Sequence, residues 1–112
     1  MKIYHNPRCS KSRNGLKFLE EKGCAFEVIK YLDKGLSKDQ LTALIAKTGK
    51  KPFDFVRQHE QDYKDNYKGK TFTDEQWIEI LSKNPKLLHR PIVENGDVAV
   101  LGNPPENISE II

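Results

Sequence analysis

One cysteine near the start of the chain, Cys9, stands in a setting that suits chemistry better than packing. It follows an Asn-Pro turn, after a short apolar strand and before a helical segment. Unpaired N–H groups and the positive end of the dipole at a helix N-terminus stabilise a thiolate and a bound oxyanion alike. The same stretch carries further cations and hydroxyls: Arg8, Ser10, Lys11, Ser12 and Arg13. It therefore predicts a nucleophilic cysteine that attacks a bound anion. The alternative, a cysteine acting as a small buried hydrophobe, fits poorly among polar neighbours.

Three further side chains are candidates for the same chemistry. His5 lies four residues before Cys9, where it either pairs with the thiolate as an imidazolium or ends the first strand as an exposed histidine. The sequence alone leaves both readings open. Arg57 and Arg90 lie far downstream. A guanidinium binds oxyanions bidentately and keeps its proton, although a lone arginine is more often an ordinary surface residue.

The first third of the chain predicts a βαβ unit that would position Cys9. Residues 2–5 are predicted as a strand, residues 10–22 as a helix that ends at Gly23, and residues 25–32 as a second strand. Strands joined in this way are parallel, with a right-handed crossover. The cysteine would then lie between the first strand and the helix.

A helical block follows, and a β-hairpin closes the chain. Capping boxes at Ser37-x-x-Gln40 and Thr73-x-x-Gln76 each predict a helix. A short helix is expected at Pro52, an irregular polar segment over 58–72, and Trp77 as a core anchor. Residues 91–101 predict a hairpin around a type I′ Asn-Gly turn. Asn103 is expected to cap a last helix that carries Ile108, Ile111 and Ile112 on one face.

Composition excludes several classes of protein. With 112 residues, 37% hydrophobic and 31% charged, we expect one soluble domain. A net charge of +3, without a concentrated basic face, argues against nucleic-acid binding. The absence of an 18-residue apolar run and of a signal peptide predicts a cytoplasmic protein with no membrane contact. No zinc-ligand spacing is present, and Cys24 is expected to be a buried structural thiol.

Three stretches of the sequence resemble one known family. His5-Asn-Pro-Arg-Cys-Ser-Lys-Ser-Arg-Asn14, Arg90-Pro-Ile-Val93 and Leu101-Gly-x-Pro-Pro-Glu106 resemble the ArsC family of glutaredoxin-linked arsenate reductases. The resemblance implies an α/β, thioredoxin-like fold with a mixed four-stranded sheet flanked by helices. One domain would span 1–112, with a helical insertion at about 37–84. It also implies a cis peptide bond between Arg90 and Pro91.

The resemblance also implies a reaction and roles for the candidate residues. Cys9 would form an adduct with arsenate, assisted by His5, and Arg57 and Arg90 would hold the anion together with the loop around the cysteine. Because no Cys-x-x-Cys pair is present, the reductant would be glutathione, followed by glutaredoxin. We expect no bound cofactor, no metal and a monomeric protein.

The sequence departs from the family pattern at Asn103, where arsenate reductases of this type carry an arginine. The departure removes one cation from the expected anion clamp and leaves two alternatives open. One is a glutathione-dependent thiol reductase with another substrate. The other is a redox-responsive regulator of the Spx type that binds RNA polymerase, although such regulators typically carry Cys-x-x-Cys where this chain has Cys9 and Ser12.

Overall fold

A computed structural model describes all residues from Met1 to Ile112, and the chain divides into two compact units. The first unit comprises Met1–Lys34 and Arg90–Ile112, and the second comprises Gly35–His89. None of the helices is both long and apolar enough to cross a membrane.

The first unit is built on a four-stranded mixed sheet. Its strands are β1 (Lys2–Tyr4), β2 (Glu27–Ile29), β3 (Ile92–Asn95) and β4 (Val98–Leu101), in the spatial order β2-β1-β3-β4. β1 runs parallel to β2 and antiparallel to β3, and β3 and β4 form an antiparallel hairpin. The predicted α/β architecture with a mixed four-stranded sheet is confirmed.

Helices pack against this sheet and bury its centre. Helix α1 (Ser10–Glu21) follows β1, the short helix α2 (Tyr31–Lys34) follows β2, and a 3₁₀ helix (Pro105–Glu110) follows β4. The core joins one fully buried side chain from each of four elements: Ile3, Leu19, Val93 and Ile108. Because Ile3 and Val93 are paired across β1 and β3, one face of the sheet receives both α1 and the last helix.

The second unit is helical. Its elements are α3 (Lys38–Thr48), a 3₁₀ turn (Pro52–Phe55), α4 (Gln61–Asn66), α5 (Asp74–Lys83) and a 3₁₀ turn (Pro85–Leu87). Both predicted capping boxes are present, with the Ser37 and Thr73 hydroxyls accepting from the backbone N–H groups of Gln40 and Gln76. Trp77 is buried as predicted, and its ring lies 4.9 Å from that of Phe72.

Two predicted strand features are wrong. The second strand was expected over 25–32, but β2 spans only Glu27–Ile29 because its partner β1 ends at Tyr4, which is paired with Ile29. The hairpin turn is not a type I′ Asn-Gly turn. Asn95 still pairs with Val98, so the two loop residues are Gly96 and Asp97, and only Gly96 has a positive φ, of 61°. This pattern belongs to a type II′ turn, which needs glycine at its first central position.

The end of the chain also differs from the prediction. Asn103 does not cap the last helix, because the helix begins at Pro105 and the residue at the capping position is Pro104. The Asn103–Pro104 peptide bond is cis, as is the predicted Arg90–Pro91 bond. Of the residues predicted on the inner face of this helix, Ile108 is fully buried whereas Ile112 is 47% exposed.

Candidate active site

Cys9 occupies the N-cap position of α1. Its backbone is extended, with φ −98° and ψ 124°, and its carbonyl accepts the first helical hydrogen bond from the Arg13 N–H at 3.0 Å. A residue in this position faces the N–H groups of the first helical turn, which have no partner within the helix. The side chain is half-buried and the thiol is free. The sulfur is thus placed where the sequence predicted it, at a helix N-terminus.

The surroundings lower the pKa of the Cys9 thiol. Burial is the largest single influence and acts in the opposite direction, raising the pKa. It is outweighed by hydrogen bonding from the Ser12 backbone, the Arg90 side chain and the Lys11 backbone, together with the positive charge of Arg90. The pKa of Cys9 therefore lies below the ordinary value of 9.0, which increases the thiolate fraction near neutral pH.

Arg90 reaches the sulfur from two residues before β3, and Pro91, which lies between Arg90 and the strand, packs against α1. A methyl group added to Gly15 would lie 2.6 Å from the Pro91 Cγ, so only a residue without a side chain allows the helix to come this close. The Pro91 carbonyl accepts from the Gly102 N–H at 2.8 Å. Close packing of α1 on Pro91 thus holds Arg90 beside Cys9.

A buried hydrogen-bond network lies behind the cysteine. The Ser12 hydroxyl, which has no exposed surface, is 2.7 Å from His5 Nδ1 and accepts from the Asn6 N–H at 2.9 Å. His5 and Asn6 are 5% and 6% exposed. Since the Ser12 backbone is one of the groups that stabilise the Cys9 thiolate, this network fixes a donor that faces the sulfur.

The structure contradicts one of the two readings left open for His5, because the ring is only 5% exposed and so does not end the strand as an exposed histidine. The pKa of His5 is lowered, first by burial and then by the positive charges of Lys30 and Arg13, against an opposing backbone hydrogen bond at Ser12. The lowered pKa disfavours the imidazolium form that the other reading requires. The buried ring is hydrogen-bonded through Nδ1 to the Ser12 hydroxyl.

Asn6 is a structural residue of the site that the sequence interpretation missed. Its side-chain oxygen accepts from the Arg8 N–H at 3.0 Å, and its carbonyl accepts from the Cys9 N–H at 3.0 Å. The Asn-Pro dipeptide was the available signal, because asparagine often closes a turn by bonding the backbone two residues on. Asn6 thus sets the path of the loop that carries the cysteine.

The other predicted residues of the loop differ in exposure and contacts. Arg8, Ser10 and Lys11 are exposed beside Cys9. Arg13 is exposed as well, and its Nη1 donates to the Pro7 carbonyl at 3.0 Å, so this guanidinium is partly used in holding the loop.

Arg57 belongs to the second compact unit, and its guanidinium already has partners there. It forms an ion pair with Glu60, donates to the Lys86 carbonyl at 3.3 Å and lies 3.1 Å from His59 Nε2. The role of Arg57 in holding the anion stays a prediction. The pairing of Arg57 with Glu60 was not predicted; it arises from the turn over residues 57–60, in which the Glu60 N–H donates to the Arg57 carbonyl at 3.2 Å.

The remaining predicted features concern cysteines and metals. Cys24 is half-buried and packs on the cluster of Ile3 and Leu19, as a structural thiol does. It makes no disulfide with Cys9. The structure brings together no group of three or more His, Cys, Asp or Glu side chains that could hold a metal ion.

Together, the groups around Cys9 can activate a thiol and receive an anion. A half-buried, thiolate-prone sulfur, backbone N–H donors and one guanidinium lie together where the loop meets the helix. Donors fixed by the fold stabilise a negative charge that forms during attack, because they need no rearrangement. The arrangement fits nucleophilic attack by sulfur on a small oxyanion or on a disulfide.

Comparison with known proteins supports one family. Residues 4–111 match the ArsC family. The chain is 40% identical to the uncharacterized protein YfgD of Escherichia coli K12, covering 100% of this chain and 96% of that one. It is 38% identical to the arsenate reductase of Haemophilus influenzae, covering 98% and 97% of the two chains. The structure of an arsenate reductase from Vibrio cholerae superposes with a TM-score of 0.93 at 39% identity, covering 100% of this chain and 98% of that one.

Proposed function

Because the chain belongs to the ArsC family, we propose that it reduces arsenate through a covalent intermediate on Cys9. Relatives of nearly the same length that are named arsenate reductases support this substrate. The observation that carries the proposal is the position of Cys9 at the N-cap of α1 beside the Arg90 side chain, a setting that lowers the pKa of the thiol. A thiolate held beside a guanidinium is what attack on an anion requires, since the cation offsets the repulsion between the two negative charges.

The first step joins the Cys9 sulfur to arsenic. The thiolate and H₂AsO₄⁻ take up one proton, an S–As bond forms, an As–O bond breaks and water leaves, which gives a Cys9–S–AsO₃H⁻ adduct. Arg90 and the backbone N–H groups of residues 10–13 hold the oxygens during this step. In our proposal the side chains of Arg8, Ser10, Lys11 and Arg13 contribute to binding the anion. Ser12 contributes its backbone N–H, because its hydroxyl is buried against His5 and Asn6. His5 acts through Ser12: its hydrogen bond to the Ser12 hydroxyl holds in place the Ser12 backbone N–H that faces the sulfur.

The electrons must come from outside the chain. Cys9 lies at the start of α1 and Cys24 lies just beyond its end, and a helix of 12 residues is about 18 Å long. A disulfide needs Cα atoms within about 7 Å, so Cys24 cannot resolve the adduct. We therefore propose glutathione as the reductant and glutaredoxin as the partner, acting on a cytosolic monomer. Overall, two thiols are oxidised to one disulfide while arsenate, As(V), becomes arsenite, As(III), with release of water.

A coupled assay tests this proposal. Arsenate-dependent oxidation of NADPH is measured with glutathione, glutaredoxin and glutathione reductase, for the wild type, Cys9→Ser and the matched control Cys24→Ser. We expect turnover in the wild type and in Cys24→Ser, and none in Cys9→Ser. Turnover that survives in Cys9→Ser, or that is absent from the wild type, contradicts the proposal.

A second candidate is favoured by the neutral residue at position 103. Asn103 supplies no cation, and its carbonyl accepts from the Asn107 side chain at 3.4 Å. A disulfide substrate carries no oxyanion at the sulfur and needs fewer cations. In that case the Cys9 thiolate attacks a glutathione mixed disulfide, forms Cys9–S–S–glutathione and releases the substrate thiol. Turnover of a glutathionylated thiol, without turnover of arsenate, would select this candidate.

A further inference from the structure

Four exposed cations of the first unit lie around the loop that carries Cys9. Three belong to the loop and the start of α1, and the fourth directly follows β2. These four residues, which form the basic rim, are Arg8, Lys11, Arg13 and Lys30. The His5 N–H donates to the Ile29 carbonyl at 2.9 Å, which places the end of β2 beside the start of the loop. The charges of Lys30 and Arg13 both help to lower the pKa of His5, so both lie close to this end of β1.

No carboxylate neutralises the basic rim. None of its four cations forms an ion pair. Arg13 uses its Nη1 on the Pro7 carbonyl, which leaves the positive charge uncompensated. Asp33 and Glu106 follow β2 and β4 at the same end of the sheet, but neither pairs with a rim residue. The rim therefore presents positive charge to the solvent around Cys9.

The charges at the two ends of α1 run against the helix dipole. A helix favours acidic residues in its first turn and basic residues in its last turn. α1 has neither, because Lys11 and Arg13 stand at its start and Glu20 and Glu21 at its end. The other α-helices follow the rule, each with an acidic residue in the first turn and a basic one in the last. Helix stability does not account for these cations, and departures from local rules are expected where function needs them.

We propose that the basic rim is the docking surface for the thiol protein that reduces the Cys9 adduct, and that this protein carries carboxylates around its reactive cysteine. The inference rests on the proposed function, from which it takes the need for an external thiol. The sulfur of that partner must come within bonding distance of the Cys9 sulfur, so the surface around it lies against the rim. Carboxylates there are attracted and steered to the site, whereas cations are repelled.

The rim and Arg90 have different tasks. Arg90 lies beside the sulfur and hydrogen-bonds to it, so it serves the reacting atoms. The exposed rim acts at longer range on a larger partner. Arg8, Lys11 and Arg13 also contribute to anion binding in the proposed function. Lys30 has no role there, and it is therefore the residue whose substitution tests the docking surface alone.

Thiol–disulfide exchange at Cys9 measures the preference without arsenate or glutaredoxin. The Cys24→Ser protein, in which Cys9 is the single cysteine, is converted with dithiodipyridine into the mixed disulfide of Cys9 and thiopyridine. The thiolate of a peptide attacks the Cys9 sulfur, the new S–S bond forms, and the bond to thiopyridine breaks. The proton of the peptide thiol ends on the released thiopyridone, whose absorbance gives the rate. The peptides are blocked pentapeptides with a central cysteine flanked by two glutamates, two glutamines or two lysines on each side.

The acidic peptide should react roughly tenfold faster than the lysine peptide at low ionic strength. Each rate is divided by the rate of the same peptide with the thiopyridyl disulfide of mercaptoethanol, which corrects for differences in thiol pKa. The corrected preference should disappear in about 1 M salt, where the Debye length is about 3 Å. A corrected ratio near one at low ionic strength overturns the proposal.

Lys30→Gln should reduce the corrected preference roughly twofold to fivefold. A change in the reactivity of Cys9 itself cancels, because both peptides attack the same disulfide. Lys22→Gln is the matched control, since it removes one positive charge beyond the far end of the 12-residue helix α1, about 18 Å away and outside a Debye length of about 10 Å at 0.1 M salt. An equal loss in both variants reflects net charge alone and refutes the docking surface.

The coupled assay connects the rim to the partner protein. Lys30→Gln should raise the KM for glutaredoxin roughly twofold to fivefold and leave the KM for arsenate unchanged. A raised KM for arsenate instead would place Lys30 in the anion site and overturn the proposal. A peptide preference without arsenate turnover supports the docking surface and refutes the proposed substrate. Arsenate turnover without a peptide preference refutes the docking surface and leaves the proposed function standing.

Discussion

Replacing Gly15 with alanine tests how Arg90 is brought to the cysteine. Gly15 lies inside α1, and a Cβ there would lie 2.6 Å from the Pro91 Cγ and 3.4 Å from the Gly102 carbonyl oxygen. Neither neighbour gives way easily, because the Pro91 carbonyl is itself tied to the Gly102 N–H at 2.8 Å. We therefore expect α1 and the residues around Pro91 to be pushed apart.

The two effects of the substitution have opposite signs. In a helix interior, alanine stabilises by about 0.8–1.0 kcal/mol relative to glycine. Overpacking a close contact costs about 1–3 kcal/mol. The overlap at 2.6 Å places Gly15→Ala in the upper part of that range, so the free energy of unfolding should fall by about 1–2 kcal/mol net. The melting temperature should fall by about 4 °C for each kcal/mol.

Urea denaturation and the rate of Cys9 alkylation measure the outcome. Asn14→Ala is the control, because Asn14 is exposed in the same helix and should gain a few tenths of a kcal/mol from helix propensity alone. Gly15→Ala should be less stable than the wild type and should react more slowly below neutral pH, since Arg90 moves away from the sulfur. A Gly15→Ala protein that is stabilised like the control would refute the reasoning.

Three further predictions concern the groups around the cysteine. Arg90→Gln should slow iodoacetamide alkylation of Cys9 below neutral pH, because Arg90 lowers the pKa of the thiol, and the two alkylation rates should converge at high pH. Coincident pH profiles of the variant and the wild type would disprove that role. Ser12→Ala should lower the free energy of unfolding, measured in urea, by about 1–3 kcal/mol, because the buried His5 ring and the Asn6 N–H lose their hydrogen-bond partner. A loss below about 0.5 kcal/mol would contradict a stabilising role of this network. The pKa of His5 lies below its ordinary 6.5, so the unfolded chain takes up the proton first and stability should fall as the pH drops below 6.5. His5→Gln should flatten that dependence in urea melts at several pH values, and an unchanged slope would exclude His5 as its source.

The features predicted correctly from the sequence are those that local chemistry determines. The capping boxes at Ser37 and Thr73 need only four consecutive residues, and both formed. Cys9 was placed at the start of α1 because a strand, an Asn-Pro turn and a helical pattern follow one another directly. The cis Arg90–Pro91 bond came from the family resemblance, since most X-Pro bonds are trans.

The predictions that failed concern features that depend on residues distant in sequence or on pairing with a neighbouring strand. β2 ends at Ile29 because β1 ends at Tyr4, a limit that the composition of 25–32 does not contain. The hairpin turn shifted by one residue because cross-strand pairing continues to Asn95. His5 is buried near positive charges that help lower its pKa, and sequence spacing reveals neither the burial nor these charges.

The pH dependence of Cys9 alkylation in the Cys24→Ser protein, measured with and without arsenate, tests the central claim most directly. In this variant Cys9 is the only thiol, so the rate reports its ionisation alone. We expect a midpoint below the ordinary 9.0 and protection by arsenate near neutral pH, because the anion occupies the loop beside the sulfur. A midpoint at or above the ordinary value, with no protection by arsenate, would contradict the account.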